Sequence, residues 1–137
     1  MSLIELAALQ HLRRYRAERA ERAVHAAQRA QQALGVRIEQ AHTTVEQARQ
    51  HEAQQRLELL GRHQGQLMSP RALASWSEQE RKVAVATARE EGRLQGLCEQ
   101  QSQQAEQLES ARQHASACQR QVEKLRELSA LLAEQGL

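Results

Sequence analysis

The sequence predicts an all-α chain: two long helices folded back on each other as an antiparallel coiled-coil hairpin. Three observations carry that expectation. The first is composition, since 23 Ala, 22 Gln, 18 Leu, 17 Glu and 17 Arg supply 97 of the 137 residues. All five types rank high in helix propensity. Phe, Asn and Asp are absent, Trp, Tyr and Pro occur once each, and Leu, Ile and Val total only 26, too few for a sandwich, barrel or doubly wound sheet. The second is heptad periodicity in both halves of the chain. The third is a cluster of breakers near the middle: Gly61, Gly65 and Ser69-Pro70.

The first helix is expected over about residues 3–62. Its stripe runs Ala20, Ala23, Ala27, Ala30, Leu34, Ile38, Ala41, Val45 and Ala48, at intervals of three and four, the spacing of one helix face. Small residues allow close approach of a partner helix but each buries little apolar area, so a long contact is required. The larger residues gather at the start, as Leu3, Ile4, Leu6, Leu9 and Leu12.

The turn is expected at about 63–69. Ser69 is suited to N-cap the following helix, with Pro70 at the first helical position where its missing N–H costs nothing. Gly61 or Gly65 is suited to the left-handed conformation that ends the preceding one. Gly35, Gly92 and Gly96 fall inside periodic segments and are expected to weaken the helices without breaking them, by about 1 kcal/mol each relative to Ala.

The second helix is expected over about 70–134, so that residues 1–137 form a single hairpin. Steps of four and three from Trp76 meet Val83, Leu94, Leu97, Leu108, Ala111, Ala115, Cys118, Val122, Leu125 and Leu132. The same walk lands on Glu80, Thr87, Glu90, Gln101, Gln104 and Ser129, so the seam is diluted and needs a partner helix. With a turn near residue 67, positions whose numbers sum to roughly 135 face each other. Leu6 to Leu12 then meet Leu125 to Leu132, and Leu57, Leu59, Leu60 and Leu67 fall beside Leu73 and Trp76 at the turn. Cys98 and Cys118, 20 residues apart on one helix, lie about 30 Å apart at 1.5 Å per residue and are expected to be reduced thiols acting as small core residues.

Two facing helices enclose no pocket, so no catalytic residue, cofactor site or metal site is expected. No two of His11, His25, His42, His51, His63 and His114 stand at i, i+4, and none stands in a zinc-type arrangement with a cysteine. No apolar run approaches the ~18 residues of a membrane span, and Met1 to Leu12 has neither the basic start nor the cleavage site of a secretory leader. A cytoplasmic chain without direct membrane insertion is expected. Nineteen basic residues against 17 acidic, with two aromatics, argue against a nucleic-acid partner.

Two features point to protein partners. Arg13, Arg14, Arg16, Arg19 and Arg22 wind around the first helix, which suits something gripping it from several sides. The spacings Arg14–Glu18 and Glu18–Arg22 are equally those of an ordinary solvated helix. Near the turn, Leu67, Leu73 and Trp76 collect large apolar groups, fitting either the hairpin core or a partner's anchor.

The segment Arg16-Ala17-Glu18-Arg19-Ala20, followed after the mid-chain break by Leu73, Trp76 and a Glu/Arg/Ala-rich helix, resembles the central-stalk proteins of type III secretion systems, the YscO and FliJ family. The resemblance implies a coiled coil like the terminal helices of the rotary ATP synthase gamma subunit. It implies free ends inserted in a hexameric secretion ATPase, a tip directed at the export gate protein, and export chaperones as further partners. It also implies a place at the cytoplasmic side of the inner-membrane secretion apparatus. The alternative is a self-associating coiled-coil scaffold using the same heptads. Sedimentation over a concentration series separates them: a constant monomer mass at micromolar concentration disfavours the scaffold.

Overall fold

The computed structural model describes residues 2–136. Helix α1 spans Leu3–His63 and helix α2 spans Pro70–Glu134, and the two pack against each other as a helical hairpin. Each helix begins on a side-chain cap. The Ser2 hydroxyl accepts from the Glu5 N–H at 3.1 Å while the Glu5 carboxylate accepts from the Ser2 N–H at 3.3 Å, a reciprocal pairing that satisfies donors left over in the first turn. At α2 the Ser69 hydroxyl accepts from the Ala72 N–H at 3.1 Å, and Pro70 opens the helix. Gly65, at φ 75°, takes the left-handed position after α1, whereas Gly61 lies within α1. Gly35, Gly92 and Gly96 are helical.

Packing falls into two units. In the turn unit, residues 34–101, Leu34, Ile38, Ala41 and Leu97 form a buried cluster with Leu94 packed against it. Val45 and Leu59 extend the buried face of α1. Thr87 occupies the α2 seam at 6% exposure. Its hydroxyl lies 3.3 Å from the Val83 carbonyl and 3.4 Å from the Ala48 carbonyl across the seam, so a buried polar group is satisfied rather than orphaned.

In the free-end unit, residues 2–33 with 102–136, Leu6, Ala20 and Val24 of α1 are buried, as are Leu108, Cys118, Val122 and Leu125 of α2. Polar seam residues again bridge the helices. Gln10 donates to the Ser129 hydroxyl at 2.7 Å, and Ser129 donates to the Leu125 carbonyl at 2.9 Å. Gln104 donates to the Ala27 carbonyl at 3.2 Å. Each such bond demands one axial alignment, so the polar positions that dilute the seam also specify its register.

Several expectations are corrected. Ala23 and Ala30 are exposed, while Val24 is buried and Gln31 half-buried. Steps of 4-3-4-3 from Ala20 and steps of 3-4-3-4 both return to Ala27 and Leu34, and the packed helix selects the first because Val24 removes more apolar area from water than Ala23. Gln101 is exposed, and so is Cys98, which follows the seam residue Leu97; both cysteines are free thiols. The Leu-rich ends do not clamp as blocks. Leu6 and Leu125 are buried, but Leu3, Ile4, Leu12, Leu128 and Leu131 are exposed, each lying about 60° or more off the seam at ~100° per residue.

The register is directly testable. Val24→Ala is expected to destabilise the hairpin by about 1 to 2 kcal/mol, about two buried methyl groups, whereas Ala23→Ser should change stability by less than about 0.5 kcal/mol, as at other surface sites. Denaturant titration followed by circular dichroism measures both. Equal effects would return the seam to Ala23.

Candidate partner-binding surfaces

The five arginines of residues 13–22 do not share one environment. Arg13 is half-buried and its guanidinium donates to the Gln121 carbonyl of α2 at 2.9 Å, so it serves the hairpin itself. Arg14, Arg16, Arg19 and Arg22 are exposed. Among the described residues the ion pairs within 4.0 Å are Glu21–His25, Arg49–Glu91, Glu52–Arg56 and Glu78–Arg81. The Arg14–Glu18 and Glu18–Arg22 spacings are therefore unused, and the four exposed guanidinium groups remain available to a partner.

Antiparallel packing adds what α1 alone does not carry. Residues 112–126 of α2 belong to the same unit and contribute Arg112, Arg120, Lys124 and Arg126. Together, residues 13–22 and 112–126 hold nine basic and three acidic side chains, against 19 and 17 in the whole chain. The near-neutral chain thus conceals a strongly positive band. Positions summing to about 135 place 113–122 opposite 13–22, a window that holds only Arg120 of the four; Arg112, Lys124 and Arg126 join the band through the packing.

Two open grooves flank the seam within this band. One, of about 740 Å³, is edged by Arg14, Arg112 and Arg126 together with Glu18 and Glu21. The other, of about 540 Å³, has Arg16, Arg19 and His114 at its rim and no carboxylate among its lining residues. The second is lined by Ala20, Ala23 and Ala117, whereas Val24 and Val122 line the first. Neither encloses a substrate. Among the described residues no group of three His, Cys, Asp or Glu could hold a metal ion, and no helix is long and apolar enough to cross a membrane.

At the turn, Leu67, Leu73 and Trp76 are not gathered into one core. Leu67 is fully exposed at 106% and Leu73 is 52% exposed. Trp76 is half-buried, stacked on the His63 ring with centroids 5.1 Å apart and planes inclined by 25°. Its indole N–H donates to the Glu80 carboxylate at 3.1 Å, which occupies the one polar atom of the ring. Trp76 therefore closes the turn end of the hairpin, and the free apolar surface comes from Leu67, Leu73, Leu57 and Leu60, the last two also exposed. Leu67 falls outside both helices, where heptad spacing has nothing to say about its neighbours. The His63 partner was legible only from the facing rule, since 63 and 76 sum to 139.

On the adjoining surface of α2 the Glu78 carboxyl is held below its ordinary range by its hydrogen bond from Arg81, which outweighs the opposing effect of desolvation, with the positive charges of Arg81 and Lys82 adding to it. The pair is solvent-exposed and contributes little to stability.

A family model described as type III secretion protein YscO matches residues 6–137. Neither a curated protein nor a solved structure matches the chain.

Proposed function

Since the chain belongs to the YscO family of type III secretion proteins, we propose that it is the central stalk that couples the secretion ATPase to the export gate. The observation that carries this reading is the positive band of residues 13–22 and 112–126, built jointly by both helices. In this reading the free-end unit sits in the pore of the hexameric ATPase. Two helices cannot present the same face to six identical subunits, so each subunit meets a different pattern of guanidinium groups, apolar residues and grooves. Conformational states of the ring that contact the arginines best are favoured by that difference in contact energy, and hydrolysis is thereby linked to the orientation of the stalk.

The exposed Leu67 and Leu73 supply an apolar anchor for the export gate protein, with Trp76 holding the turn that presents them. Export chaperones are partners of the same chain in this reading, and the site of action is the cytoplasmic side of the inner-membrane secretion apparatus. The protein itself carries out no catalysis; its role is to modulate an ATPase.

The test is stimulation and co-sedimentation with the purified secretion ATPase hexamer. The chain is expected to co-sediment at substoichiometric ratio, near one per hexamer, to raise ATP turnover, and to be released as salt screens the band. Binding at one chain per ATPase subunit, or no effect on turnover, would remove the stalk reading. A mass that rises with concentration in the absence of the ATPase would favour the scaffold.

A further inference from the structure

The two flanks of the positive band are chemically different, and that difference identifies a more specific ligand than a ring of subunits. We propose that the groove rimmed by Arg16, Arg19 and His114 and floored by Ala20, Ala23 and Ala117 binds an acidic amphipathic helix of a partner protein as a third helix beside the hairpin. The proposal rests on the band being a partner surface, and deepens it by naming the flank and the ligand chemistry.

Charge complementarity selects the occupant. The opposite groove sets Glu18 and Glu21 among its arginines and so opposes a carboxylate-rich ligand as well as attracting it. The Arg16–Arg19 groove has no carboxylate in its lining, and both arginines are exposed and outside any ion pair within 4.0 Å among the described residues. Its floor is apolar and low, because alanine side chains leave room for the larger apolar residues of an incoming helix. Both walls are helices whose backbone groups are already paired, which leaves no edge for an added strand. A helix with one apolar stripe and glutamates on its flanks matches floor and rim together. A nucleic-acid strand matches the rim alone: the His114 imidazole is the single ring among the groove's lining residues, whereas single-strand binding uses a series of aromatic platforms for successive bases.

The experiment uses the full chain and a synthetic peptide of about three heptads, with leucines on one stripe, glutamates flanking it and a photo-cross-linker at one flanking position. The flanking glutamates repel one another in a peptide pair, which limits its self-association. Fluorescence titration at near-physiological salt is expected to show binding that weakens about tenfold, or 1.4 kcal/mol, in Arg16→Glu/Arg19→Glu. Arg37→Glu/Arg93→Glu, which makes the same change in net charge far from the groove, should stay within about twofold, and Arg16→Lys/Arg19→Lys should retain most of the binding because the charge persists. Cross-links are expected on residues 16–23 and 114–121. Circular dichroism checks that each variant keeps its helices. Equal loss in both charge-reversal variants, cross-links on the Arg14–Glu21 flank, absence of peptide binding, or displacement by random-sequence RNA at matching concentration would each overturn the groove. Peptide binding as stated, in a chain that fails to bind the secretion ATPase, would leave the groove standing and remove the ring.

Discussion

Leu97→Ala is expected to cost the hairpin about 2 to 5 kcal/mol, the range for truncating a buried leucine, and to bring it close to unfolding at physiological temperature. Leu97 is 4% exposed and sits in the cluster of Leu34, Ile38 and Ala41, with Leu94 against it. The cluster has only Leu34, Ile38 and Ala41 of α1 and the half-buried Leu94 around Leu97, so few neighbouring side chains can move into the void. A helical hairpin of 137 residues has on the order of 5 to 15 kcal/mol in total, and one leucine is then a large share. The substitution raises helix propensity, so any loss belongs to packing alone. Leu67→Ala is the matched control, because Leu67 is fully exposed, and it should stay within about 0.5 kcal/mol. Thermal and urea melts followed by circular dichroism read both. A loss below about 1 kcal/mol at Leu97 would show that this cluster does not hold the turn unit together.

The second large effect is on binding and leaves the fold alone. Replacing Arg14, Arg19 and Arg22 together by Gln is expected to reduce retention by the secretion ATPase at least tenfold, while the melting curve moves by less than about 1 kcal/mol, since exposed charges add little to stability. The three guanidinium groups are exposed and form no ion pair within 4.0 Å among the described residues, and Gln preserves helix propensity. Arg13 is left in place because its bond to the Gln121 carbonyl ties the two helices. Loss of ATPase stimulation with an unchanged melt would assign the band to the ring. Unchanged retention at physiological salt would make these arginines an ordinary solvated face.

Much of the fold was legible in the sequence. Ala, Gln, Leu, Glu and Arg dominate so strongly that helix was the favoured state, and Ser69-Pro70 marks a start that its hydroxyl and fixed φ impose locally. The α2 walk from Trp76 met the buried Leu97, Leu108, Cys118, Val122 and Leu125, because large residues at steps of four and three leave little choice of face. For the candidate surfaces the arginine run of α1 was plain in the sequence. Its role divided once the chain folded: Arg13 turned to the helix pair and the other four to solvent.

What the sequence by itself determined is therefore what local chemistry and period determine: helical state, the break between the helices, and the α2 seam. Only the tertiary structure decided between Ala23 and Val24, because both stepping orders share the same average period and the facing helix, by burying one of the two, breaks the tie. It also decided which end leucines are buried, since that depends on angular offset from a partner and not on their number. The positive band belongs to the same class. Arg112, Arg120, Lys124 and Arg126 lie about a hundred residues from the α1 arginines in sequence, and charge density is a property of distance in space, which antiparallel packing alone supplied.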